Sequence, residues 1–83
     1  MNLPTLQDIE DAAAVVYREF AATPQYVWGQ LSSKLGATCW VKHENHTPVG
    51  AFKIRGGLTY FNQLARNNAL PKEVISATRG NHG

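Results

Sequence analysis

The stretch "AFKIRGG" sets one lysine, Lys53, between Phe52 and Ile54, with Gly56 and Gly57 close behind. Each glycine costs a helix interior about 1 kcal/mol against alanine. A glycine pair in the first turn of a helix therefore implies that something packs close to the backbone there. A lysine at a helix N-terminus is opposed by the helix dipole. The same field, with apolar flanks, lowers the amine pKa and favours the neutral nucleophile. Lys53 is thus badly placed for a surface lysine and well placed for imine chemistry. A solvated surface charge is the competing reading, since most lysines are that.

A second stretch, "SATRGNHG", runs from Ser76 to Gly83. A strand followed by such a turn can present the amides around Gly80 to Gly83 at a helix start, where anions such as phosphate or carboxylate bind. An ordinary left-handed turn at Gly80 explains the same residues.

The elements that must position these groups can be read from periodicity. Leu6, Ile9, Ala13, Val16, Tyr17 and Phe20 fall near one face at a helical period, and Thr5 with Asp8 forms a capping box, so a helix is expected over 5–21. Thr23-Pro24 breaks it. Residues 24–37 are ambiguous, with a short helical turn at Leu31 to Leu35 that stops at Gly36. "TCWVKHE" predicts a strand over 38–43. "NHTPVGA" reads as a loop broken by Pro48 and Gly50. A helix over 52–67 carries Ile54, Leu58, Phe61 and Ala65 on one face, and "EVISAT" predicts a strand over 73–78. The alternation implies an α/β fold with parallel strands. Two strands make no stable parallel sheet, so the chain reads as a piece of a larger α/β unit.

Composition narrows the classes. The chain has 83 residues, a net charge of +2 and a single cysteine. It holds one domain at most. Cys39 excludes an intrachain disulfide and, beside Trp40 and Val41, reads as a buried thiol in a reducing, cytoplasmic setting. The acidic start "MNLPTLQDIEDAAA" does not read as a signal peptide, and no apolar run approaches the length of a membrane span. The basic residues are scattered. Trp40 and Phe61 are expected on buried faces, so no nucleic-acid partner is expected.

Taken together, "KHENHTPVGAFKIRGG" and "ISATRGNHG" resemble the threonine/serine dehydratase branch of the fold-type II pyridoxal phosphate enzymes, the tryptophan synthase β-like superfamily. Its members carry Lys-x-Glu, a proline, Ser-Phe-Lys-x-Arg-Gly and, further on, Ser-x-Gly-Asn-His. Lys42, Glu44, Pro48, Phe52, Lys53, Arg55, Gly56, Gly80, Asn81 and His82 match. The resemblance implies an incomplete three-layer αβα arrangement in a two-domain enzyme, with residues 1–72 in the large pyridoxal-phosphate-binding domain and residues 73–83 opening the small one. It implies that Lys53 bonds pyridoxal 5'-phosphate as an imine and takes the substrate Cα proton. Phe52 would pack on the pyridine ring, and Asn81 would hydrogen-bond the cofactor's phenolic oxygen. Thr78, with Gly80, Asn81 and His82, would hold the substrate carboxylate. The implied reaction turns a 3-hydroxy amino acid (threonine, serine or a bulkier analogue) into a 2-oxo acid and ammonia, in an enzyme whose full-length relatives form homo-oligomers. The isolated chain is expected to be inactive.

The sequence departs from the family pattern in places. Ala51 replaces the usual serine before Phe-Lys, and His43 stands where arginine is frequent. Arg79 occupies the place of the serine that racemases use, which favours elimination over racemisation. Other fold-type II amino-acid chemistry, or a non-enzymatic binding role, is the alternative. Cys39, His43 and His46 give C-x3-H-x2-H, but zinc sites bring two well-spaced pairs, so no metal is expected.

Overall fold

Thr5 and Asp8 close a reciprocal cap on the first helix. In the computed structural model, which describes residues 2–80, the Asp8 amide donates to Thr5 Oγ1 at 3.1 Å and the Thr5 amide donates to Asp8 Oδ2 at 2.8 Å. Two orphan donors of the helix start are satisfied together, and these bonds hold the Asp8 carboxyl below its ordinary range. Helix α1 spans Leu6–Val16. It stops short of the expected residue 21. The chain tightens into turns at 17–19, with the Glu19 amide on the Val16 carbonyl at 3.0 Å. Tyr17 and Phe20 leave the helical stripe and lie against Arg55, whose guanidinium carbon is 5.6 and 5.5 Å from their ring centroids. That contact replaces the extra turn of helix with cation–π attraction.

Strand β1 (Gln25–Val27) pairs antiparallel with β2 (Trp40–Lys42), Tyr26 opposite Val41. The ladder is extended by Trp28 N–H to Cys39 O at 2.9 Å and His43 N–H to Pro24 O at 2.8 Å. The expected parallel arrangement is therefore corrected. Helix α2 (Gly29–Leu35) joins the strands and stops at Gly36, which takes φ 65° as the sequence required. One such helix is short for the crossover a parallel pair needs. On one face of the pair the His43 ring sits 5.6 Å from Tyr26, 5.5 Å from Trp28 and 5.6 Å from His46.

A 3₁₀ turn at Glu44–His46 leads to a loop and then to α3 (Ile54–Arg66), close to the expected 52–67. Asn68 at φ 53° ends it. The strand expected over 73–78 does not form: these residues have no regular structure, and Ile75 is 99% exposed. A strand exists through its pairing, and among the described residues β2 is paired with β1 and no strand pairs with 73–78.

Helices α1 and α3 pack together, with Arg18 Nη2 donating to Asn62 Oδ1 at 3.2 Å. Val16 is the only buried hydrophobic residue among those described. Trp40 and Phe61, expected inside, are 63% and 41% exposed, and Cys39 is half-buried rather than buried. The radius of gyration is 16.3 Å, against about 12 Å for a compact domain of this length. The apolar faces form, but among the described residues no second layer covers them. The architecture is thus a mixed set of helices around a small antiparallel sheet. No helix of the described residues is long and apolar enough to cross a membrane.

Candidate active site

Lys53 is the N-cap of α3, at φ −65° and ψ −17°. Its carbonyl accepts from the Gly57 amide at 3.1 Å, and the Phe52 carbonyl accepts from the Arg55 amide at 3.1 Å. No side chain caps this helix start, and its first turn has no acid. A Cβ on Gly56 or Gly57 would meet nothing within 4 Å. The close neighbour expected over the glycine pair is therefore not supplied by the described residues. Lys53 is exposed and lines a cleft of about 540 Å³ with Val49, Ile54, Leu58, Phe61, Val74 and Ile75. Gly57 forms part of the wall, and Ser76 brings a hydroxyl to the same cleft.

The backbone on either side of Lys53 is held by two side-chain devices. Ahead of it, buried Thr47 donates through Oγ1 to the Ala51 carbonyl at 2.6 Å and accepts from the Ala51 amide at 3.0 Å. This closes the loop that delivers Phe52 and Lys53. Behind it, Arg55 grips Glu44 at two points, Nε to Oε2 at 2.6 Å and Nη2 to Oε1 at 3.1 Å. Buried Thr23 adds its hydroxyl to Glu44 Oε1 at 2.6 Å, and Arg55 Nη1 reaches Tyr17 Oη at 3.3 Å. Lys42 Nζ lies 3.9 Å from Glu44 Oε1 and donates to the Thr23 carbonyl at 3.3 Å. The Arg55 bonds, then the Thr23 bond, lower the Glu44 pKa to about 2, and Glu44 pushes the Arg55 guanidinium pKa up. Lys42, Glu44 and Arg55 therefore form one charged cluster around Thr23.

The other expected site residues are less gathered. Phe52 is 60% exposed and does not line the cleft. Thr78 Oγ1 accepts from the Gly80 amide at 3.2 Å, and Gly80 is not left-handed. Neither residue reaches the cleft. Asn81 and His82 lie outside the described residues. Among the described residues, no group of three or more His, Cys, Asp or Glu side chains is placed to hold a metal ion. Sequence reading missed Thr23, Thr47 and Ser76. The signal for the first two was a threonine set directly before a proline, at Thr23-Pro24 and Thr47-Pro48.

The family model described as pyridoxal-phosphate dependent enzyme matches residues 16–83. The chain belongs to this family. Its relatives include the L-threo-3-hydroxyaspartate ammonia-lyase of Saccharomyces cerevisiae, 35% identical over 99% of this chain and 25% of that protein. An L-threonine ammonia-lyase of Geobacter sulfurreducens is 49% identical over 63% of this chain and 13% of that protein. A biosynthetic L-threonine dehydratase of Haemophilus influenzae is 36% identical over 81% of this chain and 13% of that protein. The chain thus spans a quarter or less of the length of these relatives. No solved structure gives a significant match.

The cleft fits part of what a pyridoxal-phosphate dependent enzyme needs. It combines one exposed amine with mostly apolar walls, and open space over Gly57 lets a flat ring approach the helix. Among the residues lining it, Lys53 carries the only charge. Groups other than these must hold a phosphate.

Proposed function

We propose that this chain supplies the lysine-bearing segment of a pyridoxal-phosphate-dependent lyase that converts a 3-hydroxy amino acid to a 2-oxo acid and ammonia. The observation that carries this reading is the place of Lys53, at the first turn of α3 with its side chain in an apolar cleft. The names of the relatives, two acting on L-threonine and one on L-threo-3-hydroxyaspartate, support the substrate class.

Pyridoxal phosphate, when bound, supplies the electron sink that makes an amino acid's Cα proton acidic. Lys53 does two things in this reading. Its Nζ would hold the cofactor through the aldehyde carbon, and the same nitrogen would take the substrate's Cα proton. Phe52 would pack on the cofactor ring, and Asn81 would donate to its phenolic oxygen. The Thr78 hydroxyl and the Gly80 amide, which do not line the cleft in this chain alone, would bind the substrate carboxylate together with the amides of Asn81 and His82. Water is lost from Cα–Cβ and returned on hydrolysis, so the net products are the 2-oxo acid and ammonia.

In the same reading residues 1–72 belong to a large domain and 73–83 begin a smaller one within a three-layer enzyme. The unpaired course of residues 73–78, away from the β1–β2 ladder, supports that division. The test is substitution in a full-length relative carrying this segment. Lys53→Ala should remove the borohydride-trapped cofactor and nearly all turnover, while Lys42→Ala keeps the trapped adduct. Parent-level elimination by the Lys53 variant would refute the assignment.

A further inference from the structure

The first turn of α3 is intrinsically weak. It has two glycines, no side-chain cap, no acid to favour its dipole, and nothing within 4 Å of the space over either glycine. Yet this turn must aim Lys53. Successive helical residues rotate by about 100°, so Lys53 and Arg55 point to nearly opposite sides of the axis. Lys53 lines the cleft, while Arg55 is bound to Glu44, Thr23 and Tyr17 and lies over the rings of Tyr17 and Phe20, 5.6 and 5.5 Å from their centroids. A two-point Arg–carboxylate clasp fixes orientation as well as distance. Glu44 is itself immobilised, by the buried Thr23 hydroxyl and by its place in the 3₁₀ turn that follows β2.

We propose that Glu44 is a positioning residue for Lys53: by clasping Arg55 it fixes the rotation of the first turn of α3 about its axis, and with it the direction of the Lys53 amine in the cleft. The consequence for chemistry rests on the reading that Lys53 holds the cofactor. The clasp itself does not. Glu44 and Arg55 touch no reacting group. They act through the backbone between residues 53 and 57, where the Gly57 amide meets the Lys53 carbonyl.

The test uses the 83-residue chain with Glu44→Gln, and separately Arg55→Lys, which keeps the charge but loses the two-point fork. Amide hydrogen exchange by NMR is read at Arg55 and Gly57, with the Ile9 amide, bonded to the Thr5 carbonyl at 3.2 Å in α1 and outside the clasp, as the internal reference. Both variants should speed exchange at Gly57 about tenfold, as expected for loss of a charge-assisted clasp, and leave Ile9 within about twofold of the parent. The second readout is the aim of the amine. Pyridoxal phosphate followed by borohydride is mapped by mass spectrometry, and the ratio of label at Lys53 to label at Lys72 should fall about threefold as the side chain gains rotamer freedom. A parent chain with no protection at Gly57 overturns the proposal. So do variants that leave Gly57 exchange and the label ratio unchanged, or that loosen Ile9 equally. None of these results bears on turnover, so an active Lys53→Ala enzyme would refute the functional reading while leaving the clasp intact.

Discussion

Replacing Thr23 with valine should raise the pH at which Glu44 takes up a proton. The Thr23 hydroxyl is buried and donates to Glu44 Oε1 at 2.6 Å, second only to Arg55 among the causes that lower the carboxyl from 4.5 to about 2. Valine keeps the shape and removes the donor. Loss of one such bond should move the midpoint up by about one pH unit, equivalent to about 1.4 kcal/mol. The Glu44 side chain is 26% exposed, so solvent screening leaves about 1 kcal/mol of this as stability. The sign follows from the proton count. The folded chain holds Glu44 ionised to lower pH than the unfolded chain does, so the unfolded state binds the proton first. The stabilisation is present above about pH 4.5 and is lost as pH falls through the folded value of about 2. The assay is an NMR titration of the Glu44 carboxyl carbon in parent and variant, with urea unfolding at neutral pH alongside. A parent midpoint near 4.5, or the same midpoint in both proteins, would show that the cluster does not hold the carboxylate as described.

Three further substitutions test the local geometry. Thr47→Val leaves the Ala51 amide without its partner and should cost about 1–3 kcal/mol, seen as faster exchange at Ala51. Gly57→Ala meets no atom within 4 Å and should stabilise α3 by about 1 kcal/mol in urea unfolding. In a full-length relative the same change should lower cofactor occupancy, measured by absorbance titration, if the open wall of the cleft is there for the ring. Thr5→Ala should weaken α1 by about 1 kcal/mol, and an unchanged helical circular dichroism melt would contradict the capping geometry.

Where a signal is local, it could be read from the residues in order. The cap at Thr5 and Asp8, the stop at Gly36, the span of α3 and the place of Lys53 at its start each depend on a few neighbouring side chains and on the helical period. Arg55 and Glu44 could be matched to a family pattern, but their clasp joins residues eleven apart, and spacing alone does not show which side chains will meet. Thr23 adds a third segment, and Tyr17 a fourth.

The sequence by itself determined the start of α1, most of α3, the helical stop at Gly36, the lysine with its glycine pair, and the family these residues belong to. Tertiary structure decided what has no local cause. Gln25–Val27 became a strand because Trp40–Lys42 lay antiparallel to it, and "EVISAT", with stronger strand-forming residues, did not because nothing paired with it. A strand's hydrogen bonds are made with a partner, so its propensity is realised only in company. Burial follows the same rule. Trp40 and Phe61 carry apolar patterns yet stay in water, because an apolar face is buried only by a second layer, and within this chain α1 covers only part of α3.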